Sequence, residues 1–133
     1  MRTTVVNPPA LVRPSGYSHG LLVEEGRRLL FLGGQISWDQ EGRLLGGGDF
    51  LAQFTRALEN LLQVVREAGG GPENIVQMHI LVLDKREYLA RRREVGEVWR
   101  RLMGRHYPAM ALLQVAGLLE EEARVEIEGM AVL

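Results

Sequence analysis

The stretch DFLAQFTRALENLLQVVREAGGGP, residues 49 to 72, decides how the rest of the chain is read. Leu51, Phe54, Leu58, Leu61, Leu62, Val65 and Ala68 recur three or four residues apart, which at 3.6 residues per turn makes one apolar stripe. Asp49 stands where an N-cap carboxylate accepts a backbone N–H, and Gly69-Gly70-Gly71-Pro72 supplies the stop. A helix with one apolar side must bury it against something. IVQMHILVL, Ile75 to Leu83, follows at once as a β-rich run with Val76, Met78, Ile80 and Val82 on one side and Gln77 and His79 on the other. Helix against strand predicts an α+β layer.

Working outward, LLVEEGRRLLFLGGQI, residues 21 to 36, has two apolar runs around Glu25-Gly26-Arg27, the composition of a β-hairpin. Downstream, a second helix is expected from about Lys85 to Met103, with a stripe of Tyr88, Val95, Val98, Trp99 and Leu102 and Gly104 at its end. Strands near Ala109–Val115 and Ala123–Val132 complete the order strand, strand, helix, strand, helix, strand, strand, which puts two helices on one face of a sheet. In the last strand Val125, Ile127 and Ala131 alternate with Arg124, Glu126, Glu128 and Met130, while Met110, Leu112 and Gln114 share a side of the strand before it. The face away from the helices is expected to carry leucines and methionines beside Gln77, His79, Gln114 and Glu126. Such a face is too apolar to leave wet and too polar for a dry core. A symmetric homo-oligomer would cover it, with a ligand site near the subunit boundary.

The 133 residues, 46% hydrophobic, fit a single domain over 1–133. No apolar run reaches the length of a membrane span, and Met1 to Val6 lacks the pattern of a secretory signal, so no membrane partner and a cytoplasmic location are expected. The absence of cysteine excludes thiol catalysis and cysteine-ligated zinc. A formal charge of −1 gives no global attraction to nucleic acid. Arginines do gather on the second helix, but without interleaved aromatic residues they are read as a solvated face rather than an RNA surface.

Several short motifs invite chemistry. GYSHG, Gly16 to Gly20, matches G-x-S-x-G, yet a nucleophile elbow needs a strand before the serine and a helix after it; here Pro14 precedes and a strand follows. His19, His79 and His106 have no metal-ligand spacing among themselves, so no metal is expected. Gly46-Gly47-Gly48 precedes a helix but lacks the lysine and serine of a P-loop. Glu126 and Glu128 stand on one side of a strand about 7 Å apart, a separation usable for general acid and base work.

GYSHG, LFLGGQIS, GDFLAQFTRALENLLQVVREAG, IVQMHILVLD, PAMALLQV and RVEIEGMAV, in this order and spacing, resemble the YjgF/RidA family from end to end. The resemblance implies a chorismate-mutase-like α+β subunit in a homotrimeric barrel, with small-molecule clefts between subunits. It also implies cofactor-free hydrolysis of reactive imines and enamines, such as 2-aminoacrylate, to 2-keto acids and ammonia. By the same resemblance Tyr17 is a cleft tyrosine, Gly34 lies in a glycine-glutamine turn, and Glu126 positions the attacking water. Deaminating members carry an arginine two residues after the proline of the penultimate strand, and here that position is Met110. A buried arginine–carboxylate pair is worth roughly 2 to 5 kcal/mol, on the order of tens- to thousands-fold, and methionine cannot make it. Leu112 replaces a small residue, His19 a glutamine and Arg92 an asparagine. Either the ligand lacks a carboxylate, or Arg92, Arg105 or Arg13 reaches in to hold one. The pocket is expected to be lined by Tyr17, His19, Gly34, Met110, Leu112, Gln114 and Glu126, with Glu126 as the base. The other readings are a non-catalytic binding or chaperone-like module, and RNA binding or cleavage as in some relatives.

Overall fold

The computed structural model describes all of residues 1–133. In chain order the elements are β1 (Arg2–Val6), β2 (Gly20–Glu24), β3 (Leu29–Gln35), α1 (Phe50–Glu67), a 3-10 turn (Pro72–Asn74), β4 (Ile75–Val82), α2 (Lys85–Ala90), α3 (Arg92–Met103), β5 (Ala109–Gln114) and β6 (Val125–Val132). Asp49 caps α1 by accepting the Leu51 N–H at 3.3 Å. The stripe read from the sequence is the buried side: Phe54, Leu58, Leu61, Leu62 and Val65 are almost wholly withdrawn from water. At about 1.5–3 kcal/mol for each buried large side chain, this one helix face supplies a large part of the driving force for folding.

That face packs on a four-stranded sheet ordered β3-β6-β4-β5, in which only β4 and β5 run parallel. The parallel pair follows from the α2–α3 crossover between those strands, since parallel neighbours need a connection long enough to return the chain to the same end. α1 lies over β6 and β3, and Met78, Ile80, Val82, Val125 and Ile127 share one buried core with it, which Val95, Trp99 and Met103 of α3 extend.

Three expectations are corrected. First, β2 and β3 do not form a hairpin: β2 pairs with β1 in a separate two-stranded sheet, and β3 pairs with β6. Second, the helix expected over 85–103 breaks at Arg91, whose backbone (φ −119°, ψ 19°) ends α2 and starts α3. The Asp84 carboxylate caps α2 through the Arg86 N–H at 2.9 Å, and the Arg91 guanidinium holds Glu94 in the first turn of α3.

Third, Met110, Leu112 and Gln114 do not share the face of Glu126. They lie in register with Met78, Ile80 and Val82, the residues that face the helices. The opposite face carries Gln77, His79 and Leu81 of β4 beside Met130, Glu128 and Glu126 of β6. It continues into Phe31, 71% exposed, and Leu113, 44% exposed. This face has no covering layer within the chain.

Candidate functional site

The GYSHG loop is attached to the edge of the sheet by its serine. Ser18 is buried; its hydroxyl donates to the Tyr107 carbonyl at 2.8 Å and its N–H to the Pro108 carbonyl at 3.1 Å. A bridge to Ala109 then lays the loop alongside the start of β5. The hydroxyl is thus engaged in holding chain to chain, with β2 rather than a helix after it, and the elbow reading fails on geometry.

Anchoring Ser18 places Tyr17 over a cavity of about 340 Å³ bounded by α2, α3, β4 and β5. Met110 and Leu112 line it beside Ile80, in the phase set by the parallel β4–β5 register. Its walls are aromatic: all three tyrosines of the chain, Tyr17, Tyr88 and Tyr107, line it together with Trp99. Trp99 stacks on Tyr107 with ring centroids 5.9 Å apart, and its indole N–H donates to the His106 carbonyl at 3.1 Å. Tyr107 therefore touches the site through its ring and supports Ser18 through its backbone.

Two guanidiniums, Arg92 and Arg100, also line this cavity. Of the three arginines the sequence offered as a substitute cation, Arg92 is the one in the wall; Arg13 and Arg105 are elsewhere. Neighbouring charges are engaged with one another. Hydrogen bonding to Glu94 raises the pKa of Arg91, and the same pair lowers that of Glu94; Arg86 likewise lowers Asp84.

The second group of expected site residues lies on the other face of the sheet. Gly34 sits in the irregularity that interrupts the β3–β6 pairing between Leu32 and Gln35. The Glu126 side chain lies directly on it: a Cβ at position 34 would overlap Oε1 and come within 2.8 Å of Cδ. The carboxylate is seated on bare backbone, a position open only because residue 34 is glycine. Next to it, Glu128 pairs with His79 Nδ1 at 3.2 Å, leaving Glu126 as the acid of this strand face without an ion-pair partner.

The structure therefore brings Tyr17, Met110 and Leu112 together, and separately Glu126 and Gly34. His19 stands behind Tyr17, edge-on with ring centroids 5.3 Å apart, its own Nε2 at 2.7 Å from the Val12 carbonyl. The Gln114 side chain accepts the Lys85 N–H at 3.0 Å and so caps the start of α2. No three His, Asp or Glu side chains are grouped to hold a metal ion. Sequence reading missed Trp99, Tyr88 and Tyr107 as site residues because their helical or strand-end positions read as core. It missed Arg100 as well, although the spacing Arg92, Gly96, Arg100 was there to be seen.

The sequence profile of the endoribonuclease L-PSP family matches residues 10–133. The chain belongs to this family, also called YjgF/RidA. The human 2-iminobutanoate/2-iminopropanoate deaminase is 29% identical over 124 residues, covering 93% of this chain and 83% of the relative. YyfB of Yersinia pestis, a crystal structure from the Rid protein family, superposes with a TM-score of 0.87 at 32% identity and full coverage of both chains. The Escherichia coli TdcF crystal structure with bound serine reaches a TM-score of 0.68 at 26% identity, over 98% of each chain. The mixed sheet, the separate β1–β2 pair and the helices on one face are thus the RidA-type α+β subunit, and none of its helices is long and apolar enough to cross a membrane.

Proposed function

We propose that this RidA-family chain is a cytoplasmic homotrimer that hydrolyses an imine or enamine in clefts between subunits, and that its substrate carries no carboxylate beside the reacting carbon. One observation carries the reading: Glu126 on Gly34 and the Tyr17–Met110–Leu112 cavity lie on opposite faces of one sheet. A single chain does not unite them, whereas a neighbouring copy seated on the uncovered face would. The imine-deaminase relatives support the class of reaction.

The chemistry follows from the groups. Water held by the Glu126 carboxylate gives it one proton as the oxygen attacks the C=N carbon of the protonated imine, forming a neutral carbinolamine. The carboxyl returns that proton to the nitrogen, ammonia leaves, and the hydroxyl proton passes to the carboxylate and on to solvent as the carbonyl forms. An enamine first becomes an imine by taking a proton on carbon. Tyr17 offers a hydroxyl to the substrate, and the backbone amides near Gly34 offer donors. Leu112 and Met110 favour an apolar substituent, and His19 and Gln114 act by holding Tyr17 and the start of α2. Methionine at 110 supplies no fork for an adjacent carboxylate, so 2-aminoacrylate is a poor substrate.

The test is ammonia release from imines generated in the assay by an amine oxidase, compared with 2-aminoacrylate generated from serine. Faster hydrolysis of the carboxylate-free imine by the wild type, and a gain toward 2-aminoacrylate in Met110→Arg of tens-fold or more, are expected. Wild-type turnover of 2-aminoacrylate equal to that of an arginine-bearing relative would overturn the assignment.

A further inference from the structure

We propose that the cavity under Tyr17 takes an organic anion with an apolar body, its charged end held at the mouth by Arg92 and Arg100. This rests on the reading of that cavity as the reaction site, and it specifies the ligand: the negative group is remote from the carbon that reacts.

Arg92, Gly96 and Arg100 follow one another at intervals of four on α3, so they share one face, and all three line the cavity. Helical side chains lean toward the N-terminus. Arg100 does so, with Nη1 only 3.6 Å from where a Cβ on Gly96 would stand. A Cβ at 96 would make an ordinary contact with it, so the Arg100 guanidinium lies over position 96, on the helix face that also carries Arg92.

Charge compensation and position together mark these two arginines: Arg101 and Arg105 also lack an ion pair, but neither lines the cavity. Arg86 pairs with Asp84, Arg91 with Glu94 and Asp49, and Arg93 with Glu97. Neither Arg92 nor Arg100 has an acidic partner, although both stand on one cavity wall. Two uncompensated guanidiniums converging on a mostly apolar cavity suit a ligand that brings the missing negative charge. The burial gradient sets its orientation. Arg92 and Arg100 are exposed at the rim, Met110 and Leu112 are half-buried, and Trp99 and Val95 are buried. An anionic group therefore sits outward and the apolar body inward against Trp99 and Leu112.

Isothermal titration of the purified protein with 4-phenylbutyrate, the neutral 4-phenylbutan-1-ol and 4-phenylbutyl phosphate tests this. The carboxylate is expected to bind on the order of tenfold more tightly than the alcohol at low salt, because each exposed ion pair contributes less than a decade. That preference should shrink with added salt and disappear in Arg92→Gln/Arg100→Gln, while Arg101→Gln, exposed on the same helix outside the cavity, keeps it. Tighter binding of the phosphate ester than of the carboxylate would support the site and assign it to phosphorylated ligands. Equal binding of carboxylate and alcohol, persistence of the preference in the double variant, or no binding of any probe overturns the proposal. Binding does not require turnover, so the two readings fail separately. A charge preference without imine hydrolysis removes the proposed function and keeps the anion site; hydrolysis without the preference does the reverse.

Discussion

Replacing Gly34 by alanine should cost activity far more than stability. The new methyl carbon would overlap Glu126 Oε1 and stand 2.8 Å from Cδ and 3.1 Å from Cγ, where ordinary carbon contacts begin near 3.4 Å. Relief requires the carboxylate to retreat by roughly 1 Å, a displacement that at a reacting centre costs about 100-fold in rate. Folding should tolerate the change. Gly34 is not in the left-handed region of φ. The atom in the way is also the far end of a half-buried side chain, so the stability change stays within about 0.5 kcal/mol, or about 2 °C in Tm. Gly33→Ala is the internal control, since a Cβ there meets nothing within 4 Å. Initial rates of ammonia release from an oxidase-generated imine, with melting curves on the same samples, give both quantities. Full activity in Gly34→Ala, or an equal loss in Gly33→Ala, would refute the role assigned to the Glu126–Gly34 contact.

Two further substitutions separate structure from chemistry. Ser18→Ala removes the 2.8 Å bond to Tyr107, which should lower stability by about 1 kcal/mol in urea unfolding and leave turnover within a few-fold; complete loss of turnover in folded protein would revive Ser18 as a nucleophile. Gln53→Leu should be the more damaging change. Its buried amide joins the Gly47 and Glu122 carbonyls and the Arg124 N–H at 2.7, 3.0 and 2.8 Å, so the loss is expected at about 2 to 4 kcal/mol; a variant as stable as wild type would show that these bonds contribute nothing net.

What the sequence made legible was local. The stripe of α1 and the alternation within β6 translate directly into buried faces, because helix and strand periods fix them residue by residue. In β4 this holds from Met78 onward, whereas a register shift between Ile75 and Gln77 buries Ile75 in place of the expected Val76. Pairing is not local. The runs 21–24 and 29–35 have hairpin composition, yet their partners are β1 and β6, the latter about a hundred residues downstream. Nor does alternation reveal the phase between strands. Ala109, Ala111 and Leu113 are as apolar as Met110 and Leu112, so only the register with β4 shows which set faces the helices. The break at Arg91 carries no glycine or proline, although the caps that create it, Asp84 and the Arg91–Glu94 pair, are visible afterwards. The expected site residues are brought together unevenly for the same reason. Tyr17, Met110 and Leu112 converge, whereas the aromatic wall and Arg100 depend on a helix face whose partner in space no local pattern names.

The central claim, a reaction site completed by two copies of the chain, is tested most directly by mixing inactive variants. Tyr17→Ala removes one half of the proposed site and Glu126→Gln the other, and each alone should be nearly inactive. Unfolded together in equal amounts and refolded, they should form mixed assemblies in which about a quarter of the sites draw an intact Tyr17 and an intact Glu126 from different chains. Ammonia release recovering to about a quarter of the wild-type rate is the predicted result. No recovery, from mixed assemblies verified by mass, would contradict it.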